Sequence, residues 1–354
     1  MRLTTSAISV TVAAAVLAGC SAAGVAPPSS SAAGTRVIAR SLVPPWMHPA
    51  GIARLRLSDR IVPAKKKSKL IYASEFSGDQ VFGFPNPNTG NEPPACSLGT
   101  SSNYLDSVNG FGVDTKGDVM IPASTPNDNG NFSINVFKPN CGALAWQAEI
   151  ESSQPEDAYS ADALRGKVLV GDLQSGSEGT GAVVLCSKSS GCGAPLTNPA
   201  VTGFGGGVAM AKNGDCWLAA EQQAFEGFVL VYFKGCTGSG EVATGTSNSY
   251  YGGLFIDTKG NLGSIDLTGT LYVYRGCNPA CTLVSSSPLR GESLFGGLDA
   301  SGKHFVVGDE SNTEVDVYSY TPSGGAKYRY SFNNGLYLSN SLEAAHFAPD
   351  NKKL

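Results

Sequence analysis

Residues 112–122 read GVDTKGDVMIP. Apolar residues stand on both sides of a Thr-Lys-Gly-Asp turn, the pattern of two strands joined by a tight hairpin. The pattern recurs. Residues 208–218 read VAMAKNGDCWL, residues 254–263 read LFIDTKGNLG and residues 298–307 read LDASGKHFVV. Weaker copies occupy residues 163–170 (ALRGKVLV) and 345–354 (AHFAPDNKKL). The turn residues are Gly117, Gly166, Gly214, Gly260, Gly302 and Asn351, spaced by 49, 48, 46, 42 and 49 residues. Glycine enters the φ > 0 region without a Cβ penalty, and Asn is the next most tolerant residue.

A period of about 40–50 residues in strand-forming sequence is the signature of propeller blades. A short hairpin cannot bury both of its faces alone, so neighbouring blades must stack. The competing reading is a set of unrelated hairpins in a sandwich, which would not hold so regular a period. A further strand recurs after each hairpin: QVFGF at 80–84, SINVF at 133–137, GAVVL at 181–185, FVLVYF at 228–233, GTLYVY at 269–274 and EVDVY at 314–318. β-Branched and aromatic residues dominate these runs, as half-buried strands require. The ends complement each other. Residues 70–74 (LIYAS) read as a second strand lacking a first, and residues 342–347 as a first strand lacking a second. Pairing them would remove two exposed edges. The expected fold is therefore all-β, a six-bladed β-propeller over residues 69–354, closed by pairing of the C-terminal strand with the N-terminal blade.

The repeated motif is G-(V/L)-x-(D/A)-x-x-G-(D/N), followed by a strand ending in an acid and then a V-x-V-(F/Y) strand. Gly112-Val113-Asp114 through Asp118 and Val315-Asp316-Val317-Tyr318 are examples. This resembles propellers of the NHL-repeat kind across residues ~69–354. The resemblance implies the fold and leaves function open, because propellers host many activities.

The N-terminus carries an address. Arg2 precedes an apolar small-residue run at 7–18, which ends in Leu17-Ala18-Gly19-Cys20. The run is too short to span a bilayer and reads as a signal segment, residues 1–19. Its ending resembles a bacterial lipobox. That resemblance implies cleavage before Cys20 and lipidation of its nucleophilic thiol; ordinary secretion with cleavage elsewhere is the alternative. Ser21, and no Asp, follows the cysteine. The implied location is the bacterial cell envelope, at the outer membrane or cell surface in a Gram-negative cell.

Residues 20–68 form the lipidated cysteine and a tether. Its first part is nearly all Ala, Ser, Gly, Val and Pro, which cannot bury a core. Residues 35–69 carry nine Lys and Arg against Asp59 alone, a net +8, whereas residues 70–354 carry 15 basic and 28 acidic residues, a net −13. A basic segment beside a lipid anchor would lie on anionic headgroups, at about 1 kcal/mol per well-placed charge; a solvated linker is the plainer reading. The acidic domain argues against nucleic acid as a partner.

Eight cysteines remain after Cys20, an even number in an exported chain, which favours disulfides. Cys186 and Cys192 bracket one short loop, and Cys277 and Cys281 another. Cys216 begins a second strand and Cys236 ends a third, so antiparallel pairing sets them side by side. Cys96 and Cys141 occupy equivalent loops of adjacent blades. A four-cysteine zinc site is the alternative, without a CxxC-like spacing in its favour.

The second strand of each blade ends at an equivalent position, held by Glu75, Ser124, Asp172, Glu221, Asp266 and Asp309. The five acids would surround one end of the central channel. Two roles are open. Each could accept hydrogen bonds from its own following loop. Together they could form a ring for a cation such as Ca²⁺ or for a cationic ligand. Gluconolactonase-type propellers, a distant likeness, hold a channel metal with a Glu, two Asn and an Asp. Glu75 could match the first, Asp266 or Asp309 the last, and Asn109 or Asn340 lie near the same face. His48, His304 and His346 form no pairing that suggests a general base. No nucleophile elbow or P-loop is present, and the Gly-rich run at 203–207 enters a strand, unlike a phosphate loop. The expected function is a lipid-anchored binding module that presents its loops to a protein or carbohydrate partner, with no catalytic residue and no obligatory cofactor. A metal-dependent hydrolase of the lactonase class is the alternative, and a purely structural envelope lipoprotein a third.

Overall fold

A computed structural model describes residues 70–75, 80–85, 91–99, 105, 108–124, 132–150, 158–175, 180–203, 205–223, 226–336 and 342–349. The signal segment, Cys20, the basic tether, Asn340 and the turn at Asn351 lie outside the described residues.

The described residues open with β1 (Leu70–Glu75), β2 (Gln80–Pro85) and β3 (Cys96–Leu98). Four antiparallel sheets follow or neighbour them. One holds β4 (Gly112–Val113), β5 (Val119–Ser124), β6 (Phe132–Phe137) and β7 (Leu144–Glu149). The next holds β8 (Ala158–Leu164), β9 (Lys167–Ser175), β10 (Thr180–Ser187) and β11 (Gly191–Cys192). Then come β12 (Gly205–Met210), β13 (Cys216–Gln223), β14 (Glu226–Phe233) and β15 (Glu241–Val242). They are followed by β16 (Leu254–Ile256), β17 (Leu262–Asp266), β18 (Thr270–Arg275) and β19 (Thr282–Pro288). Last are β20 (Ser293–Leu298), β21 (His304–Asp309), β22 (Glu314–Thr321), β23 (Gly325–Phe332) and β24 (Leu342–Phe347). These last five share an eight-stranded sheet with the first three, in the order β23-β22-β21-β20-β24-β1-β2-β3. Its middle is thin, a single parallel pairing of Phe295 with Ala344. β24 runs antiparallel to β1, with Ile71 opposite Phe347 and Ala73 opposite Ala345.

The recurrent hairpin has one chemistry. In the first copy Gly117 adopts φ 87° and donates its amide to the Asp114 carbonyl at 2.9 Å. The same amide-to-carbonyl bond joins Gly214 to Ala211, Gly260 to Asp257 and Gly302 to Asp299. The aspartate at the head of the turn does further work. Asp114 Oδ1 accepts the amides of Lys116 and Asp118, and Asp257 Oδ1 those of Lys259 and Asn261, so turn amides unpaired by the ladder are satisfied locally. Residues 163–170 differ. There Arg165 (φ 53°) and Gly166 (φ 78°) alone join β8 to β9, a two-residue turn of the type that matches strand twist.

Alternation along the strands explains the packing, since successive side chains point to opposite faces. Leu70 and Tyr72 of β1 pack with Val119 and Ile121 of β5, while Ile71 and Ala73 pack with Val306, Val315 and Val317 of the β20–β23 side. Val168 and Val170 of β9 meet Ile134 and Val136; Leu169 meets Val208, Leu218 and Val231. Trp217 and Tyr232 lie in one cluster with Leu254 and Tyr274, and Ile265 and Val273 with Phe305 and Tyr318. Every sheet is therefore apolar on both faces and sandwiched between two others, the arrangement of a β-propeller. First strands also touch in sequence: β4 with β8, β8 with β12, β12 with β16, β16 with β20, β20 with β24, and β24 with β4.

Cys96–Cys141, Cys186–Cys192, Cys216–Cys236 and Cys277–Cys281 form four disulfides, the pairs expected from the loop positions. Cys96–Cys141 joins β3 to the loop before β7 and so staples two sheets together. No helix among the described residues is long and apolar enough to cross a membrane.

Candidate functional site

Glu75, Asp266 and Asp309 end β1, β17 and β21, as the repeat requires. Asp172 and Glu221 do not end their strands. β9 runs on to Ser175 and β13 to Gln223, because their partners continue the ladder: Ser175 pairs with Thr180 and Gln223 with Glu226. The Asp172 side chain lies outside the described residues. The other four carboxylates are buried, at 2% exposure for Glu75, 1% for Glu221 and Asp266, and 0% for Asp309.

Asp266 serves the segment before β16 as well as its own following loop, and Asp309 its own following loop. Asp266 Oδ2 accepts the amides of Ser249 and Tyr250 at 2.8 and 3.2 Å, and Oδ1 accepts the amide and hydroxyl of Thr268 at 2.9 and 2.8 Å. Asp309 Oδ1 accepts the Asn312 amide at 3.0 Å and Oδ2 its side-chain amide at 2.9 Å. A Cβ at Gly291 would collide with the Asp309 carboxylate, so that loop closes down on it.

Three further buried polar residues stand at or near strand ends. Glu310 follows Asp309, and its amide donates to the Glu292 carbonyl at 2.9 Å. Its side chain is 1% exposed and neither carboxylate oxygen has a hydrogen-bond partner. Glu343, second in β24, is equally buried, with Oε2 unpartnered. Tyr251 stands just before β16, also 1% exposed, with its hydroxyl unpartnered. Glycine makes the approach of these elements possible. Gly308 of β21 abuts the Glu343–Ala344 backbone, where a Cβ would sit 3.2 Å from both. The Tyr251 ring covers the α-carbon of Gly206, where a side chain would overlap it. The Gly-rich run at 203–207 thus serves close packing in β12, not phosphate.

The electrostatics link these groups. Burial drives the Glu310 carboxyl far above the ordinary range, and the nearby Glu343, Glu292 and Asp309 push the same way. Burial raises Glu343 as well. Tyr251 is pushed above the usual phenol range by burial, then by Glu221 and Glu343. Glu343 thus raises both Glu310 and Tyr251. Arg290 is engaged elsewhere. It pairs with Glu314 at 3.0 Å and Asp316 at 3.3 Å, and lies 4.6 Å over the Tyr328 ring.

The histidines offer no base for this cluster. His304 Nδ1 bonds Asp299 Oδ2 at 2.9 Å within a turn. His346 packs edge-on against Phe111, and burial lowers it to about 4, so it is neutral at pH 7. His48 lies outside the described residues. Among the described residues no three His, Cys, Asp or Glu side chains form a group able to hold a metal ion. The set expected from the lactonase likeness fits a metal poorly, since Asp266 and Asp309 spend both oxygens on loop donors.

Sequence reasoning did not find Glu310, Glu343 or Tyr251. A faint signal existed: each acid interrupts or ends an apolar strand, in HFVVGDE and LEAAHF. Nothing in the spacing of residues 251, 310 and 343 indicates that the fold buries them short of partners.

No protein-family model and no curated protein matches this chain. Solved structures do resemble it. A candidate 6-phosphogluconolactonase of Bacteroides uniformis is 13% identical over 77% of this chain and 84% of its own, with TM-score 0.50. Streptogramin B lyase is 12% identical over 73% of each chain, TM-score 0.45. The Dos1 propeller is 13% identical over 77% of this chain and 69% of its own, TM-score 0.44. At such identities the likeness concerns the fold alone, a β-propeller.

Proposed function

We propose that this protein is a lipid-anchored binding module of the bacterial cell envelope. Residues 69–354 form a six-bladed propeller of the NHL-repeat kind, closed by pairing of β24 with β1 and held above the membrane by lipidated Cys20 and the basic tether. In this reading the eight-stranded sheet is two blades joined by one parallel pairing. Support comes from the sheet faces, each of which packs on a neighbour, and from the run of first-strand contacts that returns to β4.

The observation that carries a binding role is a set of buried carboxylates at or near strand ends. Glu75, Glu221, Asp266 and Asp309 are buried on four strands, and the oxygens of Glu310, next to Asp309, have no hydrogen-bond partner. Such groups cost stability unless something else satisfies them. A protein or carbohydrate partner presented to this face is the function the geometry supports best. The lactonase-class reading is weaker, because its expected Asp ligand is already occupied by backbone donors.

Two measurements test the proposal together. Cys20→Ala should abolish palmitate incorporation and membrane fractionation. Detergent-solubilised full-length protein should bind isolated envelope carbohydrate or cross-link to an envelope protein through this face. Normal palmitate labelling in the variant refutes the anchor; no saturable binding to either envelope fraction refutes the binding module.

A further inference from the structure

We propose that the end of the propeller carrying the hairpin turns lies on an anionic lipid surface. The inference deepens the lipid-anchored reading and rests on it for the membrane concerned.

Antiparallel order sends the first-to-second and third-to-fourth connections of a sheet to one end, and the second-to-third connection to the other. Contacts between sheets gather the first kind together. A Cβ at Gly302 would sit 2.8 Å from Thr258 of the preceding hairpin turn, and one at Gly117 3.5 Å from Pro349, just past β24. Trp217, near the start of β13, donates its indole N–H at 2.6 Å to the Cys277 carbonyl in the loop between β18 and β19. Cys96–Cys141 ties the start of β3 to the loop between β6 and β7. Hairpin turns and outer loops therefore share one end face.

That face is basic. Successive hairpin turns carry Lys116, Arg165, Lys212, Lys259 and Lys303, all exposed. The loops between third and fourth strands add Lys138, Lys188, Lys234 and Arg275, exposed as well. Among the described residues none of these side chains forms an ion pair. The acids of the same turns point inward. Asp114, Asp215 and Asp257 are buried, and Asp215 accepts the Gly235 amide at 2.8 Å and the Tyr232 hydroxyl at 2.9 Å. Asp299 is engaged by the Lys303 amide and by His304. Among the described residues Glu92 and Glu241 are the exposed acids of this end, and Asp118 is half-exposed. The opposite end is the reverse. Glu75, Asp266, Asp309 and Glu310 stand there, and its described loops hold one basic side chain, Arg290, spent on Glu314 and Asp316. The net −13 of residues 70–354 thus conceals a basic end.

The point where the chain enters identifies the partner. The Leu70 carbonyl accepts the Ala348 amide at 2.8 Å, next to Pro349 and so to the Gly117 turn. β1 therefore starts at the basic end, and Lys65, Lys66, Lys67 and Lys69 directly precede it in sequence. A lipid on Cys20 would bring this face to the bilayer. Anionic headgroups attract exposed Lys and Arg only within about a Debye length, about 8 Å at physiological ionic strength. Turns at equivalent positions of successive repeats stand at one level, so they reach that layer together. The same field repels the acidic end, which is left facing outward, toward a partner.

The test has two arms. In the first, full-length Cys20→Ala protein is sedimented with vesicles of phosphatidylcholine, alone or equimolar with phosphatidylglycerol. The anionic vesicles should be strongly preferred, and the preference should collapse in molar salt, where the Debye length is about 3 Å. Replacing Lys116, Lys212, Lys259 and Lys303 together by Gln should cut it about tenfold or more, since each charge near the surface is worth up to about fivefold. These side chains are exposed and unpaired, so the variant should melt like the parent. The same replacement at Lys65, Lys66, Lys67 and Lys69 measures the tether. An unchanged preference in the propeller variant overturns the proposal, as does a loss confined to the tether variant. Capture by soluble dextran sulfate without any vesicle preference also overturns it. In the second arm, lipidated parent is reconstituted in both vesicle types and treated with a membrane-impermeant amine-acylating reagent. The four propeller lysines should label severalfold less on anionic vesicles, and equal labelling overturns the proposal. If Cys20 carries no lipid, the anchored reading fails and the first arm still decides this one. If the lipid is present and neither arm shows the effect, this proposal fails while the anchor stands.

Discussion

Ser74 is the place to test how the two ends of the chain are held. It is 0% exposed in β1. Its hydroxyl donates to the Asn109 carbonyl at 2.7 Å and accepts the Ala344 amide at 3.1 Å. One side chain thus ties β1, the approach to β4 and β24, over sequence separations of 35 and 270 residues. Ser74→Ala removes an oxygen and leaves almost no cavity, so the cost is that of two buried polar groups each losing a partner. At about 1–3 kcal/mol for each group so left, partly relieved by small shifts, the loss should be about 2–4 kcal/mol. In a domain of this size that is a fall of about 3–7 °C in melting temperature. Two comparisons calibrate it. Ser160→Ala loses one buried bond, from its hydroxyl to Gly206 O at 2.6 Å, and should cost roughly half as much. Ser301→Ala, on an exposed turn at Asp299, should cost under about 0.5 kcal/mol. Differential scanning calorimetry and denaturant unfolding at pH 7 read the series. A Ser74→Ala protein that melts within about 1 °C of the parent, while Ser160→Ala falls, would refute the idea that β24 and β1 close the ring through this contact.

Asp257→Ala should cost about 2–3 kcal/mol by denaturant unfolding, since the carboxylate serves Lys259, Asn261 and, from the next sheet, Tyr320; combined with Asp114→Ala the losses should add within about 0.5 kcal/mol, because the two turns share no partner. Replacing Cys96 and Cys141 by Ser should cost about 4 kcal/mol on chain entropy and replacing Cys186 and Cys192 about 2 kcal/mol, as the loops span 45 and 6 residues; equal losses in melting experiments would contradict that model. Glu310 and Glu343 hold protons in the folded chain up to about 10 and about 8, against 4.5 ordinarily. The unfolded chain therefore binds fewer protons above pH 4.5, and stability should fall as pH rises through 8 and 10. Glu343→Gln should flatten that fall between pH 4.5 and 8, and an unchanged slope in urea titrations across this range would exclude Glu343 as its source.

What the sequence by itself determined is whatever has a local physical cause. The hairpin at Asp114–Gly117 follows from two requirements a few residues apart, an acceptor for turn amides and a backbone at positive φ, and both leave a mark that repeats at Asp257 and Gly260. Strand character follows from runs of β-branched and aromatic residues, and the inability of a short hairpin to bury both faces called for stacked neighbours. The disulfides were readable because three pairs bracket a loop or end neighbouring strands and Cys96 and Cys141 occupy equivalent loops. The anchoring of Asp266 and Asp309 is also local, with partners within 17 residues, but the sequence left it open beside a cation ring. Tertiary structure alone decided the rest. How far β9 and β13 run past Asp172 and Glu221 depends on whether the partner strand continues the ladder. Glu310, Glu343 and Tyr251 are scattered over more than 90 residues, and what makes them notable is desolvation and mutual repulsion, which no spacing encodes. Those terms exist only after β12, β16, β21 and β24 have packed closely enough at Gly206 and Gly308 to shut out water, because a carboxylate's cost depends on what surrounds it and not on its neighbours along the chain.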